Sequence, residues 1–203
     1  MKLRFLLFVL LLPAWVQAQQ WPFQLWHEGK IVLLEGDTLK GMIKYDLQQD
    51  IVQYNVAEGK KIETYTARKV LFFEIFDTSV HKYRQFFALP FSAIGTYSAP
   101  VFFELLEEGK ITVLCREALE YRTYGSPYYY GGSYSRQVLV NRFFFMNEKG
   151  KIEPFTGGKR ALLDLMGAHA DDVEKYMKSN HLNYDEKYQL ARIVEYYNSF
   201  YGS

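Results

Sequence analysis

The feature that most constrains the fold is a series of short apolar segments, separated by turn residues, between Lys30 and about Pro154. Glycines recur in these turns, as in Glu-Gly-Asp-Thr around Gly36 and Glu-Glu-Gly-Lys around Gly109. Apolar runs of this length, bounded by turn signals, predict strands joined as antiparallel hairpins. The predicted strands cover residues 31–34, 39–45, 51–56, 61–66, 70–76, 80–89, 101–106, 110–116, 137–146 and 151–155.

Helices are predicted after the last of these strands. Near residue 158 the apolar period changes from two to 3.6, which predicts helices at residues 159–166 and 171–179 and a closing helix that ends near residue 201. Asp171 and Asn183 are the predicted N-caps of the second and third helices, because each is followed three residues later by a glutamate.

The order of the predicted elements indicates the fold class. No linker divides the chain, so we expect one domain over residues 19–203. Its class is α+β: an antiparallel β-sandwich or open barrel, followed by two or three C-terminal helices packed on the sheet, at about residues 158–201.

The first 18 residues have the pattern of an export signal. Lys2 and Arg4 precede the apolar run 5–12, and Val16-Gln17-Ala18 provides small residues for cleavage. The apolar run is too short to span a bilayer. We therefore expect an exported protein, periplasmic or at the cell surface, that keeps no transmembrane segment after the signal is removed.

The composition excludes several classes of function. Aromatic residues make up 18% of the chain, which favours strands with large cross-strand contacts. A net charge of +1 provides no basic surface for nucleic acid, so we expect no such partner. Cys115 is the chain's only cysteine, so it cannot form an intramolecular disulfide, and we expect a structural role for it in a buried strand.

The chain carries no motif of a known catalytic centre. Nucleophile elbows, zinc-binding His-Glu-x-x-His sequences, phosphate-binding glycine loops and dinucleotide fingerprints are all missing from it. His169 with Asp171 and Asp172 comes nearest to a metal site, but these acids are better explained as the start of a helix. We therefore expect no cofactor and no metal, and we favour a protein that is not an enzyme.

Glu74 and Glu104 are the only candidate catalytic pair. Each acid interrupts a similar apolar run, Phe-Phe-Glu-Ile-Phe and Phe-Phe-Glu-Leu-Leu. Two buried carboxylates that face each other would resemble the acid pair of a glycosidase. The alternative is that each acid pairs with a basic residue, for which Arg84 and Arg142 are available, or lies at a sheet edge.

Two segments are predicted to be loops. The first runs from Pro90 to Pro100, because prolines cannot donate to a sheet ladder. The second runs from Tyr121 to Tyr134 and is rich in tyrosine, glycine and serine. Tyrosine offers a flat apolar face and a hydroxyl group, which suit contact with a sugar or another protein. The candidate ligand-binding residues are therefore Tyr124, Tyr128, Tyr129, Tyr130 and Tyr134.

Several of these segments together resemble a family of uncharacterised exported proteins from Gram-negative envelopes. The resembling segments are Gly-Asp-Thr-Leu-x-Gly-x-Ile-x-Tyr at 36–45, Phe-Glu-Ile-Phe-Asp at 73–77, Leu-Pro at 89–90, Pro-x-Phe-Phe-Glu-Leu-Leu-x-x-Gly at 100–109, Arg-Glu at 116–117 and Tyr-Tyr-Asn-Ser at 196–199. The resemblance implies an exported, β-rich protein with a helical tail. It implies no catalytic residue, because the family has no established activity.

The expected function is binding or scaffolding in the cell envelope, with another envelope protein or a glycan as the partner. Two alternatives stay open. One is a hydrolase of envelope glycans that uses Glu74 and Glu104. The other is an accessory subunit whose exposed aromatic residues are covered only within an envelope complex.

Overall fold

A computed structural model describes residues 21–56, 61–92, 97–125 and 132–202. Within these ranges the chain forms one sheet of ten antiparallel strands, in the order β10-β9-β8-β7-β6-β5-β1-β2-β3-β4. The strands are β1 His27–Leu33, β2 Thr38–Asp46, β3 Ile51–Val56, β4 Lys61–Thr66, β5 Val70–Asp77, β6 Lys82–Phe91, β7 Ala99–Glu107, β8 Thr112–Tyr124, β9 Tyr134–Met146 and β10 Ile152–Pro154. The sheet does not close, because β10 and β4 each have a neighbour on one side only.

Three helices follow the sheet: α1 Lys159–Met166, α2 Ala170–Ser179 and α3 Lys187–Asn198. They pack on one another and on β7 and β8, where Val113 and Cys115 meet Ile193 and Val194 in a buried apolar cluster. The predicted α+β class, with strands first and helices afterwards, is confirmed. None of the helices in the described ranges is long and apolar enough to cross a membrane.

Aromatic packing shows that the sheet is strongly curled. The ring of Tyr45 on β2 lies 5.3 Å from the rings of Phe73 and Phe86, and 5.8 Å from that of Phe102 on β7. Strands β2 and β7 are not neighbours in the sheet, so the curl must bring their inner faces together. The buried rings fill the space between them, which explains the high aromatic content.

The sheet splits between β7 and β8. Pairing between these strands reaches only Glu104–Cys115, whereas β8 continues to pair with β9 as far as Tyr124–Tyr134. Asp50, in the β2–β3 turn, fills the gap: its carboxylate accepts hydrogen bonds from the Phe102 backbone N–H and from Arg116.

The prediction of a loop from Pro90 to Pro100 is wrong at both ends. Pro90 and Pro100 lie directly opposite each other inside the β6–β7 ladder. Neither proline has a strand on its second side that would need its backbone N–H. The β5–β6 ladder ends at Phe72–Phe87, before Pro90, and the β7–β8 ladder does not extend beyond Glu104 toward Pro100. Proline is tolerated in a strand at such a position.

The predicted N-caps are also wrong. His169 occupies the N-cap position of α2, and Asp171 lies in the first turn of that helix. A short 3-10 turn, Gly167–His169, leads directly into α2, so the helix has already begun before Asp171 is reached. Helix α3 begins after Glu186, and Asn183 instead accepts a hydrogen bond from the Asp185 backbone N–H in the preceding turn.

Candidate functional site

The part of the sheet beyond the split is a two-stranded projection, formed by residues 116–124 of β8 and 134–142 of β9, which we call the ribbon. Leu119 and Leu139 on its inner face pack against the aromatic core. Its far end is exposed: Tyr134 is 62% accessible and Tyr121 is 74% accessible. The ribbon is therefore anchored at its base and open to solvent at its tip.

Two of the predicted ligand-binding tyrosines meet at this far end. Tyr124 and Tyr134 are cross-strand partners, and their rings stack with centroids 5.7 Å apart. The guanidinium of Arg136 lies 4.7 Å from the centre of the Tyr124 ring, within cation–π range. These contacts hold three large side chains in one orientation on the outer face of the ribbon.

The next cross-strand pair on the same face of the ribbon, two positions toward the base, is Arg122 with Arg136. Like charges directly opposite each other destabilise a pair of strands. Among the described residues neither arginine forms an ion pair with an acid. The ribbon also contains a second such pair, Arg116 with Arg142, in which both charges are compensated: Arg116 binds Asp50 at 3.1 Å and Arg142 binds Glu120 at 3.0 Å.

The tyrosine-rich segment is shorter as a loop than predicted. Tyr121 and Tyr124 belong to β8 and Tyr134 begins β9, because the hairpin ladder continues to the Tyr124–Tyr134 pair. Tyr128, Tyr129 and Tyr130 lie outside the described residues. The uncompensated arginine pair was not predicted from the sequence, because Arg122 and Arg136 are 14 positions apart and only the strand register brings them together.

The structure does not bring Glu74 and Glu104 together. Cross-strand partners share a face of the sheet. Glu74 lies opposite Gln85, whereas Glu104 lies opposite Phe86, the next residue along β6. Successive side chains of a strand point to opposite faces, so the two carboxylates project from opposite sides of the sheet. This arrangement gives no support to a pair of acids that act on one bond.

Glu104 lies instead at the centre of a buried group of charges, the ion cluster. Arg84 donates to both of its carboxylate oxygens, at 3.0 and 2.7 Å, and Lys187 of α3 donates to it as well. Arg84 also binds Asp77 at 2.9 Å and Glu117 at 2.7 Å. Each charge has a partner of opposite sign, and no buried side-chain N or O atom in the described ranges lacks a hydrogen bond. The cluster fastens α3 to strands β5, β6, β7 and β8.

The pKa of Glu104 reflects this environment. Burial alone would raise the pKa of its carboxyl group, but the positive charges of Arg84 and Lys187 outweigh burial and hold the pKa below its ordinary value. Asp77 shows the same balance: burial raises its pKa, and hydrogen bonds from Ser79 and Arg84 bring it below the ordinary value. Both groups are therefore ionised near neutral pH and act as structural anions.

The sequence offered two basic residues, Arg84 and Arg142, as candidate partners for Glu104. Arg84 fills that role, while Arg142 pairs with Glu120 instead. Lys187 was not foreseen, although it lies three positions before the buried Leu190 on the inner stripe of α3. A lysine in line with buried apolar residues is the signal that could have pointed to a buried anion.

Glu74 lies on the outer face of the sheet, in an open depression of about 780 Å³. Its carboxylate binds Lys30 at 3.2 Å and accepts a hydrogen bond from Gln85 at 2.7 Å. The ring pair Phe76–Tyr83 stands beside it, with centroids 5.0 Å apart. Glu74 is thus an acid that forms an ion pair in an open, shallow depression.

The remaining reactive side chains lie away from the ribbon tip. Cys115 is buried, and burial raises the pKa of its thiol well above the ordinary value. His169 stacks on Phe200, with ring centroids 4.2 Å apart. Asp171 and Asp172 belong to the first turn of α2. Among the described residues no group of three or more His, Cys, Asp or Glu side chains is placed to hold a metal ion.

Comparison with known proteins gave no relative. No family model, no curated protein and no solved structure matches this chain. The geometry of the chain itself is therefore the basis for the binding role proposed below.

Proposed function

We propose that this protein is an exported, non-enzymatic envelope protein that binds an acidic segment of another envelope protein through the outer face of its ribbon. The signal-like first 18 residues and the family resemblance support export and an envelope location. The binding role rests on the ribbon.

The single observation that carries the proposal is the uncompensated pair Arg122–Arg136 beside the stacked rings of Tyr124 and Tyr134. Two opposed arginines without an acid are an unfavourable arrangement for a free protein and a favourable one for an anionic partner. Arginine and tyrosine are also among the residue types that contribute most to binding energy at protein interfaces.

The fixed orientation of these side chains supports a binding surface over a flexible spacer. The Tyr124–Tyr134 stack and the Arg136 contact lower the conformational entropy that would be lost on binding. Arginine also forms paired hydrogen bonds to carboxylates, which suits aspartate and glutamate side chains of a partner. An anionic glycan offers the same charge without a peptide backbone, and it is the alternative that the experiment separates.

The other readings from the sequence have less support. A hydrolase that uses Glu74 and Glu104 would need both acids on one face, and their strand register opposes this. An accessory subunit of an envelope complex is a particular form of the binding role proposed here. We favour an open barrel over a sandwich for the curled sheet, since one continuous strand order joins its two halves.

The proposal is tested by a pull-down from detergent-solubilised envelope with the tagged chain of residues 19–203. The double variant Arg122→Gln/Arg136→Gln removes the charge of the ribbon. A matched control, Lys175→Gln/Lys178→Gln, removes two exposed charges from α2, whose side chains are 78% and 67% accessible. We expect the wild type and the control to retain one stoichiometric protein and the ribbon variant to lose it.

Added salt distinguishes the contribution of the arginine charges to binding from that of the tyrosine rings. Binding through exposed arginines should weaken as ionic strength rises, because surface charges are screened over about 10 Å at 0.1 M salt. Retention of the same protein by the ribbon variant would refute the proposal. Capture of an acidic glycan without any protein would replace the protein partner by the glycan.

A further inference from the structure

Strand β9 has a long unpaired edge. On one side it pairs with β8 along its whole length. On the other side β10 covers only Phe144–Met146, and the Phe155 N–H donates to the Phe143 carbonyl. From Tyr134 to Arg142, no strand of the described chain pairs with this side of β9.

Proteins usually protect such an edge with bulges, prolines or charges, and this one has only two arginines. The β8–β9 register continues without a bulge, and residues 134–142 contain no proline and no lysine, with Arg136 and Arg142 as their only charged side chains. There is also room beside the edge. A depression of about 960 Å³ is lined by Leu139 to Phe144 of β9, by Pro154 to Gly157 and by Asp185 and Glu186, among others. An added strand could therefore approach the part of the free edge formed by residues 139–142.

We propose that a second copy of this chain occupies the edge, with residues 134–142 of both copies paired antiparallel about a two-fold axis at Val138. The result is a symmetric dimer in which one sheet continues from each protomer into the other. Such an interface is isologous, so each contact occurs twice. The inference concerns the edge of the ribbon, whereas the proposed function concerns its outer face, and neither depends on the other.

The register follows from which side chains share a face. A two-fold axis perpendicular to the sheet leaves the outward-pointing side chains of both protomers on the same face. Each residue must therefore pair with a residue of the second copy whose side chain points to the same face. With the axis at Val138, Val138 meets the partner's Val138, and Tyr134 meets the partner's Arg142. All nine residues of the free edge are then paired, and an aromatic ring meets a guanidinium at each end.

Neighbouring registers of the same orientation are less favourable. An axis at Leu139 would place Arg136 opposite the partner's Arg142, a repulsive contact. An axis at Gln137 would leave Asn141 and Arg142 without a partner. The free edge is therefore complementary to itself in one register, and this argues for a second copy as its occupant over an unrelated strand.

Sedimentation equilibrium on the chain of residues 19–203 is the first test, and we expect reversible dimers. Val138→Arg should abolish them, since it places two arginines opposite each other. Val138→Glu should also be monomeric alone, but a mixture of the two variants should dimerise. Rescue in the mixture also shows that both variants are folded. A wild type that stays monomeric at every concentration would overturn the proposal.

Disulfide cross-linking tests the register. In Val138→Cys the two new thiols would be on directly opposed residues, whose Cα atoms lie about 4.5–5.5 Å apart in antiparallel sheets. In the matched control Val140→Cys, the two cysteines would be separated by four strand positions, or about 13 Å. We expect cross-linked dimers from Val138→Cys only. Equal cross-linking of both variants would contradict the register.

Wild-type protein serves as the blank for this experiment. Cys115 is buried, so it contributes no cross-link as long as the protein is folded. The partner pull-down and the dimer measurement can fail separately, because a dimer needs no envelope extract and partner capture needs no Val138.

Discussion

Lys187 at the start of helix α3 donates a hydrogen bond to Glu117 on β8, at 3.0 Å, across a separation of 70 residues. It also contacts Glu104, the central anion of the ion cluster. Its side chain is only 8% accessible, so its charge has left water and relies on these two acids. The position of the closing helix on the sheet thus depends on a buried polar contact as well as on apolar packing.

Loss of Lys187 should therefore destabilise the fold strongly. Lys187→Met keeps the length of the side chain but leaves Glu104 and Glu117 with Arg84 as their shared cation. We expect a loss of about 3–5 kcal/mol in the free energy of unfolding, the usual effect of breaking a buried ion pair. Urea denaturation measures it. The control Lys178→Met, on the exposed side of α2, should change stability by about 0.5 kcal/mol or less.

Stability should fall in acid because of the carboxylates in the ion cluster. Since the folded-state pKa values of Glu104 and Asp77 are lowered, their contribution is fully present above the unfolded-state values, about 4.3 and 3.9. It is lost as the pH falls through the lower folded-state values. We expect the free energy of unfolding to be level from pH 7 to about pH 5 and then to decrease.

Glu104→Gln distinguishes this effect from general acid denaturation. The variant should be less stable at pH 7, because Arg84 and Lys187 lose the charge of their shared acid. It should also lose less stability than the wild type between pH 5 and pH 3. Parallel curves for the two proteins would show that Glu104 does not contribute to the acid transition.

The turn between β7 and β8 should not accept a side chain at Gly109. A Cβ atom there would lie 2.5 Å from the Asn198 amide nitrogen. That amide joins the end of α3 to the turn, by accepting from the Ile111 N–H and donating to the Ile111 carbonyl, both at 3.0 Å. Gly109→Ala should therefore lower stability by about 1–3 kcal/mol, as overpacking does elsewhere.

Asn198→Ala removes the group that would clash. It should itself be destabilising, since two backbone groups of Ile111 lose their partner, by about 1–3 kcal/mol. The double variant with Gly109→Ala should cost less than the sum of the two single changes. Additive effects in thermal or urea unfolding would contradict the contact. Gly158→Ala, at the N-cap of α1 with no atom closer than 3.7 Å to the added Cβ, serves as the control for a glycine replacement without a clash.

Cys115 should be unreactive in the folded protein. Its side chain is buried, and burial raises the pKa of the thiol, so almost no thiolate exists at neutral pH. A chromogenic disulfide reagent should label it only as fast as the protein unfolds, and quickly in urea. Rapid labelling of the native protein would show that this part of the core is open.

The sequence predicted the elements well, because strands and helices depend on local patterns. The apolar run at residues 70–76, bounded by turn residues, and the period of 3.6 after residue 158 both led to the observed elements, β5 and the three helices. Turn glycines such as Gly36 marked the hairpins correctly. The prediction of a Pro90–Pro100 loop failed because a proline disrupts a strand only where a neighbouring strand needs a backbone N–H at that position. Only the order of strands in the sheet reveals whether this is so.

The sites were harder to predict because they depend on register and curl. The opposite orientation of Glu74 and Glu104 follows from one residue of offset along β6, which no pattern in either segment indicates. The pairing of Arg122 with Arg136 requires the β8–β9 register in the same way. Lys187 joins the cluster only after the helix has packed, at a sequence distance of 83 residues from Glu104.

The most direct test of the binding role compares two exposed tyrosines. Tyr134, at the ribbon tip, and Tyr83, on the outer face of the sheet, are 62% and 70% accessible and both lie on strands. The dissociation constant of the captured envelope protein should be measured for the wild type, Tyr134→Ser and Tyr83→Ser. We predict a loss of affinity of about tenfold or more for Tyr134→Ser, since such residues contribute 1–2 kcal/mol or more at interfaces, and no change for Tyr83→Ser. Equal affinities for all three proteins would contradict a binding surface on the ribbon.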